Sequence, residues 1–144
     1  MRDLGTQNLA EDTLLCMMTW ATPSVSEYGR SAMEPQRHGF VLGVKRERLE
    51  EYKEYHRAVW PEILEAISEA GIRNYTIFLK DDLLFGYYEY VGPPDEYDQR
   101  MQAMAAAPRM RKWWDIMEPM QEPLATRNEG EWWAEMEDVF HTTG

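Results

Sequence analysis

Short apolar runs alternate twice with helical stripes in the stretch after Arg37, and that order constrains the fold more than any single residue does. Gly39-Phe40-Val41-Leu42-Gly43-Val44 is a nearly continuous apolar run bounded by charge, the pattern of a buried strand. Leu49, Tyr52, His56, Val59, Ile63, Ile67 and Ala70 then recur at steps of three and four, one face of a helix. Pro61 falls inside this stripe. It lacks an N–H and clashes with the preceding turn, so it predicts a kink or a second helix that begins with Pro61. Gly71 suits a helix C-terminus. Residues 74–79 and 83–90 read as strands, joined by a hairpin at Lys80-Asp81-Asp82. Tyr97, Met101 and Met104 mark one further helix face, and Met110, Trp113, Trp114 and Met117 another after Pro108. Residues 119–130 read as a loop and 132–140 as a last strand, whose pattern Glu135, Glu137 and Asp138 weaken.

The resulting order, β-α-β-β-α-β, is that of the α+β ferredoxin-like plan, with helices over one face of a four-stranded antiparallel sheet. The first and third strands are apolar on both parities, whereas a sheet with one wet face alternates. The second face is therefore expected to be covered as well. A homodimer supplies that cover most simply, with a pocket between sheets as the result. Residues 1–36 carry no sustained period and are punctuated by Thr22-Pro23-Ser24 and Glu34-Pro35. They read as a disordered tail, or as an upstream stretch translated from a misplaced start, and the folded domain is expected over 37–144.

Charge narrows the partners. The net charge is -11 and the pI about 4.7, so nucleic acid and anionic membrane surfaces are both disfavoured. A neutral small ligand escapes that penalty. The single cysteine, Cys16, excludes an internal disulfide and fits a reducing compartment. No apolar run approaches a membrane span, and residues 14–18 are too short for a signal-peptide core and follow acidic residues. A cytoplasmic location is expected.

Phosphate-cradling, dinucleotide-binding and nucleophile-elbow motifs are all missing, and His38, His56 and His141 lack metal-ligand spacing. What remains is concentrated in three places. Tyr52 and His56 are four residues apart and so stack on one helix face, where a phenol and an imidazole can bind a hydroxylated ligand and move a proton. Taken alone, that pair is read more readily as two core-edge residues whose polar tips find backbone partners. Tyr75 could present its hydroxyl from a strand, though tyrosines favour strands anyway. Trp113 and Trp114 point about 100° apart on a helix, so one can pack in the core while the other lines a cavity. Indole faces suit sugars, and two plain core anchors explain the pair equally well. The methionine stripe is read as core packing and the acidic stretch 129–138 as solvated surface.

Together these segments resemble the L-rhamnose mutarotase family. The resemblance rests on Glu51-Tyr52-x-x-x-His56-x-x-x-Trp60-Pro61-Glu62, Gly71-x-x-Asn74-Tyr75-x-Ile77, Leu83-Leu84-Phe85-Gly86, Lys112-Trp113-Trp114-x-x-Met117 and the Val139-Phe140-His141 ending. It implies a dimeric α/β-barrel of ferredoxin-like protomers that needs no cofactor and no metal. It also implies His56 as proton donor, with Tyr52, Tyr75, Trp113 and Trp114 contacting a 6-deoxyhexose. Opening the hemiacetal needs a proton at the ring oxygen and loss of another from the anomeric hydroxyl, work that a histidine can do near neutral pH. The loop at 119–130 departs from the Asn-Pro-Asp type of rhamnose-specific members, which leaves L-fucose as another substrate. Two further classes fit the same plan: a non-catalytic dimeric sugar-binding module, and a monooxygenase-like enzyme on the same dimeric barrel.

Overall fold

The computed structural model describes residues 34–144. The expectations for residues 1–33, Cys16 included, lie outside the described residues. β1 (Gln36–Val44) leads through a short 3₁₀ turn into α1 (Leu49–Arg57) and α2 (Pro61–Glu69). β2 (Ile72–Lys80) and β3 (Leu83–Tyr90) follow, then α3 (Tyr97–Ala106), α4 (Pro108–Met117) and two short strands, β4 (Gln121–Glu122) and β5 (Ala134–Glu135). The strands form one antiparallel sheet in the order β2-β3-β1-β4, with β5 also pairing β1. The fold is thus mixed α+β, with four α-helices among the described residues.

Pro61 starts α2 at its first helical position, and Trp60 before it is extended (φ -58°, ψ 136°), as a residue preceding proline prefers. The stripe therefore breaks into two helices. Gly71 closes α2 at φ 85°, and a side chain there would meet the Tyr90 ring at 3.1 Å, so both conformation and space demand glycine. Asp81 takes φ 55° in the β2–β3 hairpin.

Parity decides the core. Phe40, Leu42 and Val44 of β1 and Leu84, Tyr88 and Tyr90 of β3 share one face and are at most 4 % exposed. They pack against Tyr52, Ile63, Ala66, Met101, Met110, Trp113 and Met117 of the helices. The methionines are core, as their spacing predicts: Met101, Met110 and Met117 are buried. On the opposite face Val41, Phe85 and Phe78 lie side by side across β1, β3 and β2. Phe78 is 63 % exposed there, so the double-sided apolar pattern corresponds to a wet apolar strip on this chain.

Two expectations need correction. The last strand does not run over 132–140: only Ala134–Glu135 pairs, and the chain then leaves the ladder after Met136 donates to the Gly39 carbonyl at 2.8 Å. The Arg37 guanidinium donates to Asp138 at 3.0 Å, so the segment still runs beside β1 past its last ladder pair, while Trp132 and Trp133 pack inward. Nor is 119–130 wholly a loop. Its start is core, with Met120 0 % and Gln121 7 % exposed and β4 paired to Gly43 and Val44.

Candidate active site

The candidate site forms where α1 faces the end of β1. Tyr52 and His56, one helical turn apart, stack with ring centroids 4.3 Å apart. Trp113 of α4 meets the His56 ring edge-on at 5.6 Å, and Trp60 at the α1–α2 break meets Trp113 at 5.1 Å. Three of the five residues expected from sequence, Tyr52, His56 and Trp113, are therefore in direct contact. Trp114 points about 100° further round α4 and packs half-buried against both core clusters.

Tyr75 arrives from the other side. Arg73 pairs with Glu89 and Thr76 with Tyr87, so Asn74 and Tyr75 together oppose Tyr88 in a β-bulge. Asn74 takes φ 52° and its amide donates to Glu89 at 2.7 Å, which holds the bulge. The bulge re-aims Tyr75 onto Tyr88, where the rings stack 5.6 Å apart. Tyr75 is 43 % exposed, yet burial raises its phenol well above the usual value, with the Tyr52 phenol adding to the shift.

Hydrogen bonding sets the chemistry of His56. Its Nδ1 lies 2.8 Å from the Tyr52 carbonyl oxygen, which can only accept, so Nδ1 carries a proton. Nε2 then holds a lone pair in the neutral ring and is a donor in the cation. Burial lowers the His56 pKa, and the hydrogen bond to the Tyr52 carbonyl works against that shift. Tyr52 itself is 4 % exposed, and burial pushes its phenol up to about 12, with the Gln121 amide pulling the other way.

Two residues were not legible as site residues. Gln121 reaches the Tyr52 hydroxyl through Nε2 at 3.4 Å, and the Trp132 indole donates to Gln121 Oε1 at 2.9 Å. Further along the interior, Tyr88 and Tyr97 share a hydroxyl–hydroxyl hydrogen bond. His38 stacks on Tyr97 at 4.7 Å, and burial lowers its pKa to about 4.

The sequence model of the L-rhamnose mutarotase family matches residues 37–142. L-rhamnose mutarotase of Oceanobacillus iheyensis is 30 % identical over 114 residues, covering 74 % of this chain and 97 % of that one. The Burkholderia ambifaria L-rhamnose mutarotase is 41 % identical over 83 residues, 56 % of this chain and 72 % of its own. Among solved structures, that of L-rhamnose mutarotase FA22100 from Formosa agariphila aligns with a TM-score of 0.57 at 23 % identity, covering 74 % of this chain and 98 % of that one. A match across nearly all of the described residues decides the family: the chain belongs to the L-rhamnose mutarotases.

Proposed function

We propose that this protein is an isomerase that interconverts the α and β anomers of L-rhamnose, with His56 as proton donor. The observation that carries the assignment of the donor is the bond from His56 Nδ1 to the Tyr52 carbonyl, which leaves Nε2 for the sugar. As the C1–O5 bond breaks, Nε2–H of the imidazolium gives its proton to the ring oxygen and the C1 hydroxyl passes its own to water, which returns a proton to that oxygen on closure. The products are the free aldehyde and a C5 hydroxyl. Rotation about C1–C2 and closure on the other face return the proton to Nε2. Tyr52 and Tyr75 contribute hydroxyls to the bound sugar, and the Trp113 and Trp114 indoles offer flat faces to its C–H surface.

The reading needs no cofactor from the protein, since nothing is oxidised or reduced. It takes residues 37–144 as the catalytic unit, a ferredoxin-like protomer of a homodimeric barrel, and the cytoplasm as its location. Saturation-transfer NMR on the mixed anomers of L-rhamnose tests the function. Transfer between the two C1 protons that accelerates with protein marks a mutarotase. Binding without transfer would leave a sugar-binding module, and neither would favour another enzyme on the same barrel. Repeating the measurement with L-fucose ranks the substrates, and repeating it on a chain starting at Met33 tests whether 37–144 suffices.

A further inference from the structure

The Trp132 indole N–H can only donate. At 2.9 Å it claims Oε1 of Gln121, and this decides which way round the buried amide sits. Nε2, a donor, must then face the Tyr52 hydroxyl, 3.4 Å away. A phenol has one proton to give and lone pairs to receive with. Facing a donor, the Tyr52 oxygen accepts, and its own proton cannot point at the amide. Among the described residues Gln121 is the one hydrogen-bond partner of that hydroxyl.

We propose that Trp132 and Gln121 form a relay that fixes Tyr52 as a hydrogen-bond donor toward the sugar, which makes both of them positioning residues. This rests on the reading of Tyr52 as a sugar contact. The relay is built from segments far apart in sequence. Gln121 is held by β4, which pairs with the end of β1, and Trp132 is brought in just before β5 pairs with the middle of the same strand. A ligand oxygen that accepts, such as a ring or hydroxyl oxygen, is therefore selected at Tyr52 over a group that can only donate.

The test is a double-mutant cycle on anomer exchange, with the dependence on L-rhamnose concentration giving KM and kcat separately. Gln121→Met keeps the shape but removes both links, and Trp132→Phe removes only the indole donor. Each is expected to raise KM about three- to tenfold, the range of one neutral hydrogen bond, with kcat much less affected. In a Tyr52→Phe background neither should raise KM further. The Trp132 indole proton, followed by ¹H–¹⁵N NMR without sugar, should shift and exchange faster in Gln121→Met. An unchanged KM in both single variants overturns the relay. An equal rise in KM with and without the Tyr52 hydroxyl also overturns it, because a merely structural role survives that background. If Gln121→Met does not fold, Trp132→Phe carries the same cycle. Loss of the relay would leave the effect of His56→Asn untouched, whereas a His56→Asn variant with normal exchange would strike the proton-donor assignment and leave the relay.

Discussion

Burial acts on both interior histidines, and the consequences differ with what each one touches. His56 keeps a carbonyl partner at Nδ1 beside Tyr52, and as the proposed donor it would act in its protonated form. His56→Asn keeps a polar side chain but removes the titratable nitrogen. Exchange should fall at least about a hundredfold, the lower end of what a positioned acid or base contributes, while sugar binding followed by tryptophan fluorescence survives. With a lowered pKa, the wild-type rate should rise as pH falls from 8 toward a midpoint below 6.5. A rate that falls over that window would assign the proton transfer to another group. His38, stacked on Tyr97 and only 8 % exposed, bears on stability instead. Its folded pKa of about 4 lies below the unfolded value of 6.5, so the native state binds fewer protons between the two. Stability from this residue is complete above pH 6.5 and is lost as pH falls to about 4, a difference of about 3 kcal/mol. Urea unfolding at pH 7 and pH 4.5 should show that loss, and His38→Phe should remove most of it. An equal loss in His38→Phe would place the acid sensitivity elsewhere.

At the level of elements, Gly43 of β1 lies opposite Glu122 of β4. A Cβ there would run into the Glu122 carbonyl oxygen, so Gly43→Ala must push β4 off β1. Gln121 is the neighbouring residue of β4, and the shift would carry its amide away from Tyr52. We expect a stability loss of about 1–3 kcal/mol, typical of overpacking, together with a raised KM for L-rhamnose. Normal stability with normal KM would show that β4 does not position the amide. This dependence also explains what the sequence could and could not reveal. Tyr52 and His56 were legible because their contact is local, a spacing of one helical turn. Pro61 and Gly71 were legible because backbone chemistry alone fixes their places. Gln121 and Trp132 carry no local signal: their juxtaposition needs two short strands to find β1, and the charges of Glu135, Glu137 and Asp138 blur the period that would announce the second. Trp114 shows the limit from the other side, since adjacent indoles reveal divergence without revealing which one meets the histidine.

For the whole molecule, the open question is what covers the outer face of the sheet. Val41, Phe85 and Phe78 form a continuous strip there, and Val139 and Phe140 add further exposed apolar surface at 88 % and 82 %. A strip of this kind on a sheet whose other face is already core suits an interaction surface, and the homodimer proposed above would cover it with an identical strip about a two-fold axis. Sedimentation at micromolar concentration should therefore give about twice the 17.0 kDa chain mass. Each chain carries a net charge of -11, so self-repulsion opposes association and the dimer should tighten with added salt. Phe78→Glu places a carboxylate in the strip at a position already 63 % exposed, which should break the dimer without unfolding the protomer. Tyr52, His56, Gln121 and Trp132 all come from one chain and face away from the strip, so the Phe78→Glu monomer should still exchange anomers. A wild-type monomer under these conditions would refute the interface. A Phe78→Glu dimer would move the interface to another surface. A Phe78→Glu monomer without exchange would mean that the second protomer completes the site, and the assignment of the chemistry to one chain would fail.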